Sequence, residues 1–364
     1  MIQSVKAAVL RNIGGPMTIE EVEISGPERH EVLVRTKAVG LCHSDLHVID
    51  GHLPMPLPTV LGHEAAGVVE RVGEGVTNVK EGDHVIVCAV FHCGRCDQCL
   101  SGHANLCTVS VASRAADQPP RLTAGDEPLF QFCGTGSFAE YMVVQESGCV
   151  PIRKDMPFDR ACLVSCGVAT GFGAVNRTAR VSPGERVAVI GCGGVVLAAV
   201  NGAAIAGARR IIAIDRVPMK LDLARKLGAT DIIEAGADVD VVGEVMRLTD
   251  NAGVDHAIEA IGLPQTATQA FAMLRRGGTA TIAGVLMSNL ELPGLALLHE
   301  RRVQGSFMGG VRPSIDIPRY VDLYMQGRLR IDELISKRIR LDEINQGFAD
   351  LAGGAVVRAV IEFD

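Results

Sequence analysis

The chain has 364 residues, more than one hydrophobic core usually serves, so two domains are expected. With 48% hydrophobic and 21% charged residues it has the composition of a soluble globular protein. A net charge of -7 with no basic cluster argues against nucleic acid and anionic membranes as partners.

The first ten residues lack a signal-peptide core, and no apolar run is long enough to span a bilayer, so a cytoplasmic enzyme is expected. In such a chain, clustered members of the 11 cysteines are metal ligands rather than disulfides. Cys88, Cys133, Cys149, Cys162 and Cys192 fall outside the clusters and default to small core residues.

Residues 1 to about 160 read as short strands and glycine turns. Glu31 to Val39 and Ala66 to Val72 alternate, and His84 to Val87 follows the turn at Gly82. Between the first two strands lies Gly40-Leu41-Cys42-His43-Ser44-Asp45-Leu46-His47, which gathers a thiol, a hydroxyl, a carboxylate and imidazoles. Such groups can hold a metal with an open position and move a proton off a bound alcohol. Gly62-His63-Glu64 adds an imidazole and a carboxylate, and Cys166 a further thiol. Cys93, Cys96, Cys99 and Cys107 are spaced x2, x2 and x7. Four such thiolates close a tetrahedral sphere, as for structural zinc; an iron–sulfur cluster is the rival, disfavoured by the surrounding motifs. The stretch from Ser110 to Phe130 reads as a polar loop.

From Asp159 to Val175 a helix rich in small residues is expected, and from Arg186 the texture becomes βαβ. Val187 to Ile190 and Ile211 to Ile214 are apolar throughout, as for strands buried on both faces. Helices are expected to about Ala206, at Met219–Leu227, Asp316–Gln326 and Leu341–Leu351, and further strands at Val254–Glu259 and Thr279–Gly284. The alternation predicts a parallel, doubly wound sheet. Gly191-Cys192-Gly193-Gly194-Val195-Val196 is a dinucleotide turn whose last glycine is replaced by Val196. A small facing residue is expected to compensate; otherwise the extra bulk would cost about 1–3 kcal/mol. Asp215 follows at roughly the interval of a ribose-binding carboxylate, which favours NAD over NADP, although Arg216 is adjacent.

In this order, the Gly40–His47 octet, Gly62-His63-Glu64, the cysteine quartet, Ser165-Cys166-Gly167-Val168-Ala169-Thr170-Gly171 and the Gly191 turn resemble the zinc-dependent medium-chain alcohol dehydrogenase family, from Lys6 to Phe363. The resemblance implies a mixed α/β fold. A GroES-like β domain (1–167 and 308–364) would carry structural and catalytic zinc. A Rossmann NAD-binding domain (168–307) would complete the active-site cleft.

By this resemblance Cys42, His63 and Cys166 hold the catalytic zinc and the quartet the structural one, two per chain. Glu64 lies behind the catalytic ion, and Asp45 supports a ligand histidine. Ser44 takes the alcohol proton and passes it through the cofactor ribose to His47. His43, Thr170, Gly191, Gly193, Gly194, Val195, Asp215, Arg216 and Arg358 are implied at the cofactor, although Arg358 also reads as a surface residue on an edge strand. His43 stands where the family often has arginine, so NADH is expected to leave faster as pH rises.

Leu53, Ala89, Phe132, Cys133, Val285 and Phe307 map to the substrate pocket. Their apolar character, and small Ala89 and Ser44, imply a bulky primary alcohol or aldehyde, aromatic or terpenoid. The implied partner is this small molecule, in a homodimer or homotetramer joined near Thr279–Val285 and Leu286–Leu292. Three rivals stand beside this reading. One is a zinc-free quinone or enoyl reductase, which should lack the metal motifs. Another is an enzyme with tightly bound NAD and an external acceptor, and the third a non-enzymatic binding protein on the same fold.

Overall fold

The computed structural model describes residues 3–115 and 117–364; Ala116, within the expected 110–130 loop, lies outside them. The chain divides into two compact units. The first comprises Met1–Cys166, Arg312–Met325 and Ile335–Asp364, and the second Gly167–Val311 and Gln326–Leu334.

In the first unit, Gln3–Leu10, Thr18–Ile24, Leu122–Ala124, Glu127–Gln131 and Thr59–Val60 close a small barrel. A second sheet runs in the order Cys149–Ile152, His84–Val87, Glu64–Val72, Glu31–Gly40, Arg358–Glu362, Ile335–Ile339, and Tyr141–Gln145 also pairs with Glu31–Gly40. Glu31–Gly40 therefore has several partners and is buried along most of its length, rather than alternating as its sequence suggests. Closing a barrel removes exposed edges. Barrel strand Leu122–Ala124 lies inside the stretch expected to be a loop, and Glu127–Gln131 overlaps its end.

That stretch is also tied down electrostatically. Buried Glu31 accepts from Arg121 Nε at 2.9 Å and from Arg114 Nε at 3.0 Å, so one carboxylate on the central strand clamps both arginines. Short-range patterning cannot reveal such a pairing.

The second unit is a six-stranded parallel sheet. Its order is Asp231–Glu234, Arg210–Asp215, Arg186–Ile190, Val254–Glu259, Leu274–Ile282, Arg302–Gly305. The order reverses between Arg186–Ile190 and Val254–Glu259, and ligands of such sheets bind beyond the strands' carboxyl ends at that point.

The division differs from the expected 308–364 return. Residues 308–311 and 326–334 belong to the second unit, where Arg330 donates its backbone N–H to Asn201 Oδ1 at 2.9 Å and its guanidinium to the Lys226 carbonyl.

The expected helix at Asp159–Val175 is longer, spanning Phe158–Ala179, with π-helical segments at Val164–Val168 and Ala174–Ala179. It is long and apolar enough to cross a bilayer, yet 89% of its most apolar window is buried inside the protein.

Candidate metal and cofactor site

Strand Glu31–Gly40 delivers Cys42 to the start of helix His43–Ile49. Gly62, in the left-handed region at φ +90, turns the chain so that His63 enters strand Glu64–Val72; a Cβ there would lie 2.7 Å from the Phe138 nitrogen. Cys166 comes from the π-helical segment Val164–Val168, a distortion that recurs at functional sites because it re-aims a side chain. Cys42, His63, Glu64 and Cys166 are all buried, with one ligand atom of each within 4.8 Å of the others.

Asp45 Oδ1 accepts the Gly62 N–H at 2.8 Å and lies 3.2 Å from His63 Nδ1. With Nδ1 so engaged, Nε2 of His63 is the nitrogen that would hold a metal, the usual arrangement of a carboxylate behind a ligand histidine. Arg358 donates to the Leu41 carbonyl at 3.0 Å and stands 3.2 Å from Glu64 Oε1. Its strand lies between Ile335–Ile339 and Glu31–Gly40, so Arg358 is a buried interior residue and not a surface residue on an edge.

The electrostatics follow from burial. Hydrogen bonding with Cys166 holds the Cys42 thiol well below its ordinary range and, in return, raises that of Cys166. Burial pushes the Glu64 carboxyl up to about 8, with Arg358 opposing. Burial disfavours charged His63, but Asp45 and the two thiols more than offset it and raise its pKa.

Both Glu64 carboxyl oxygens are buried without a hydrogen-bond partner. Two thiols and an imidazole fit zinc, and Cys, His and Cys leave a fourth position open, with Glu64 paired to Arg358 beside them.

Ser44 Oγ is 3.7 Å from Cys42 Sγ. Half-buried His47 meets His52 edge-on, with ring centroids 5.9 Å apart, a neighbour the sequence did not single out. His43 is exposed on the first residue of its helix. Phe132 packs edge-on to His63 at 5.4 Å. Leu53 and Ala89 are half-buried in the first unit, and Val285 and Phe307 are exposed in the second. Cys133 is exposed, with φ +52, and so is not the core residue expected.

The quartet also converges. Cys93, Cys96, Cys99 and Cys107 offer sulfurs within 4.8 Å of one another, with Cys96 Sγ 3.5 Å from Cys99 Sγ. Hydrogen bonds led by the Thr108 backbone hold the Cys96 thiol down to about 5. Four thiols fit a closed, structural zinc.

In the second unit, strand Arg186–Ile190 runs into Gly191, and Gly193 opens helix Gly194–Ile205. Such an N-terminus attracts phosphate. Asp215, at the end of Arg210–Asp215, accepts the N–H of Cys192 and, at 2.8 Å, that of Val217. It therefore fastens the glycine turn to the neighbouring strand, while Arg216 is exposed and Val195 half-buried. Val196 is buried, and Gly171 packs against the backbone of this helix: a Cβ there would lie 1.8 Å from the Val195 carbonyl oxygen. Next to it Thr170 is buried, its Oγ1 3.8 Å from Met308 Sδ.

A family model described as "Alcohol dehydrogenase GroES-like domain" matches residues 28–154, and one described as "Zinc-binding dehydrogenase" matches 194–326. The chain is 40% identical to an NDMA-dependent alcohol dehydrogenase of Amycolatopsis methanolica, over 98% of both chains. A solved alcohol dehydrogenase zinc-binding domain protein from Burkholderia ambifaria is 38% identical, with a TM-score of 0.95 over 100% of both chains. Benzyl alcohol dehydrogenase from Acinetobacter calcoaceticus is 32% identical, with a TM-score of 0.93 over 100% of both. The chain belongs to the zinc-dependent medium-chain alcohol dehydrogenase family and is an alcohol dehydrogenase whose cofactors are zinc and a nicotinamide dinucleotide.

Proposed function

We propose that this enzyme interconverts bulky, apolar primary alcohols, aromatic or terpenoid, with their aldehydes, using NAD. The observation that carries the reading is the buried Cys42–His63–Cys166 cluster with the Ser44 hydroxyl beside it. Zinc, when bound, polarises the alcohol oxygen and lowers its pKa, and NAD takes up the hydride.

The chain's own residues supply the rest. Ser44 Oγ receives the hydroxyl proton, and half-buried His47 passes it to solvent. Asp45 orients His63, and Arg358 holds Glu64 behind the ligands. In the second unit, Thr170, the turn at Gly191, Gly193, Gly194 and Val195, and Asp215 and Arg216 hold the dinucleotide. The Asp215 carboxylate repels a 2′-phosphate, which is why NAD is preferred. In the first unit, Leu53, Ala89, Phe132 and Cys133 are the proposed contacts of the alcohol, and small Ala89 leaves room for it. The similarity to a benzyl alcohol dehydrogenase supports the aromatic choice.

The test is absorbance at 340 nm with NAD and an alcohol panel, with and without chelator. Benzyl alcohol should exceed ethanol clearly in kcat/KM and the chelator should abolish both rates; a ratio near one contradicts the proposed specificity.

A second reading keeps the chemistry but holds NAD as a bound group regenerated by an external acceptor. The 40% identical relative, named for its NDMA dependence, favours it. It predicts that NAD stays with the protein through gel filtration and is reduced there by alcohol alone.

We further propose a cytoplasmic homodimer, with a homotetramer as the alternative. Exposed Met287, Leu295, Leu297 and Leu298, close to the edge strand Arg302–Gly305, support a self-association surface there.

A further inference from the structure

Glu259 ends strand Val254–Glu259, beside the point where the second unit's strand order reverses. It is 0% exposed, and no cation is paired with it among the described residues. Its side chain instead organises backbone. Oε1 accepts N–H bonds from Ile261 and Gly262 and the hydroxyl of Thr266, each at 2.8 Å. The Glu259 carbonyl accepts the Ala283 N–H at 2.7 Å and the Gly284 N–H at 3.2 Å. One residue thus ties together the segments that leave two adjacent strands.

The fit between those segments leaves no room for side chains. A Cβ on Gly262 would lie 2.5 Å from the Val285 carbonyl oxygen, and one on Gly284 would lie 2.3 Å from the Gly262 nitrogen. Oε2 of Glu259 is buried without a hydrogen-bond partner, 2.9 Å from that second Cβ position. Leaving a carboxylate oxygen unsatisfied is costly, so the group is held for what its other oxygen does. What the arrangement presents is a rim of apolar side chains: Ile261, Leu263 and Val285 are 44%, 53% and 44% exposed.

We infer that Glu259 is a positioning residue for the nicotinamide half of the dinucleotide. A doubly wound sheet is built of two mononucleotide-binding halves. Asp215 lies on the strand flanking Arg186–Ile190 on one side, in the half that receives adenosine. Glu259 lies on the strand flanking it on the other side, and the segments it fastens form the floor of the second half. An apolar rim suits the face of an uncharged dihydronicotinamide ring. The inference rests on the dinucleotide reading of this unit.

The test compares NADH, followed by its own fluorescence, with AMP, followed by calorimetry, on protein stripped of carried-over dinucleotide by charcoal. In Glu259→Ala the NADH Kd should rise about tenfold or more, while the AMP Kd stays within about twofold. Glu259→Gln keeps an acceptor at Oε1 and should recover NADH binding to within about threefold. If Glu259→Ala fails to fold, Glu259→Asp carries the test, because it withdraws the acceptor by one methylene and should show the same split in smaller measure. Equal weakening of NADH and AMP, or weakening of neither, overturns the inference. A parent protein that binds neither ligand overturns the dinucleotide reading instead.

Discussion

Asp45 Oδ1 stands 3.2 Å from His63 Nδ1 and at the same time accepts the Gly62 N–H at 2.8 Å. One oxygen therefore fixes both the imidazole and the turn that delivers it. Removing it in Asp45→Ala frees the ring to rotate and leaves the Gly62 N–H unsatisfied. Affinity for the metal at the Cys42–His63–Cys166 centre should fall about 10–100-fold. Zinc release to a coloured chelator measures this, and the quartet's zinc, released at the parent rate, is the internal control. Two zinc ions leaving at parental rates would contradict the role.

Gly171 lets its own helix approach the backbone of helix Gly194–Ile205 closely. Gly171→Ala places a methyl against the Val195 carbonyl oxygen and should cost about 1–3 kcal/mol or more. Val196→Gly removes a buried side chain and adds a flexible residue to a helix, so it should also destabilise, by about 1–3 kcal/mol, while NAD affinity stays within about twofold. Thermal unfolding and NAD titration of both variants check this; tighter NAD binding by Val196→Gly would show that the valine does strain the site.

Glu31 should make stability depend on acid. Burial pushes its carboxyl up, but hydrogen bonds from Arg114 and the charge of Arg121 more than offset this and hold it below its ordinary 4.5. A group depressed in the folded state contributes stability above its unfolded pKa and loses it as pH falls through the folded value. The parent should therefore lose stability as pH drops below 4.5. Glu31→Gln, already deprived of the charge that faces two buried guanidiniums, should be about 3–5 kcal/mol weaker at pH 7 and flatter in acid. Denaturant unfolding at both pH values checks the pair.

The pocket assignment predicts a change of preference. Ala89→Phe fills the space proposed for an aromatic ring. It should lower kcat/KM for benzyl alcohol by about tenfold or more and affect ethanol far less. An unchanged ratio would place the ring elsewhere.

What the sequence revealed, and what it hid, divides by distance along the chain. The quartet, the Gly40–His47 octet and the Gly191 turn are local spacings of ligand and turn residues, and each is readable in one stretch. Cys166 is implied by resemblance alone, because nothing in its neighbourhood signals a π-helical turn beside Cys42. The rival reading of Arg358 as an edge residue stands in the sequence alone because its strand's two partners come from distant parts of the chain. The Glu31 clamp on Arg114 and Arg121, and the attachment of 326–334 to the second unit through Arg330 and Asn201, are likewise long-range. Glu259 looks in the sequence like an ordinary strand end in Val254–Glu259; only the donors converging on it mark it out.

Cys42, His63 and Cys166 are proposed to hold a catalytic metal distinct from the quartet's. Zinc content measured together with alcohol oxidation in Cys166→Ser tests it most directly. The parent should carry two zinc ions per chain and the variant one, with the fold intact and oxidation lost. A variant that keeps both ions, or that oxidises alcohol at the parent's rate with one, would contradict the account.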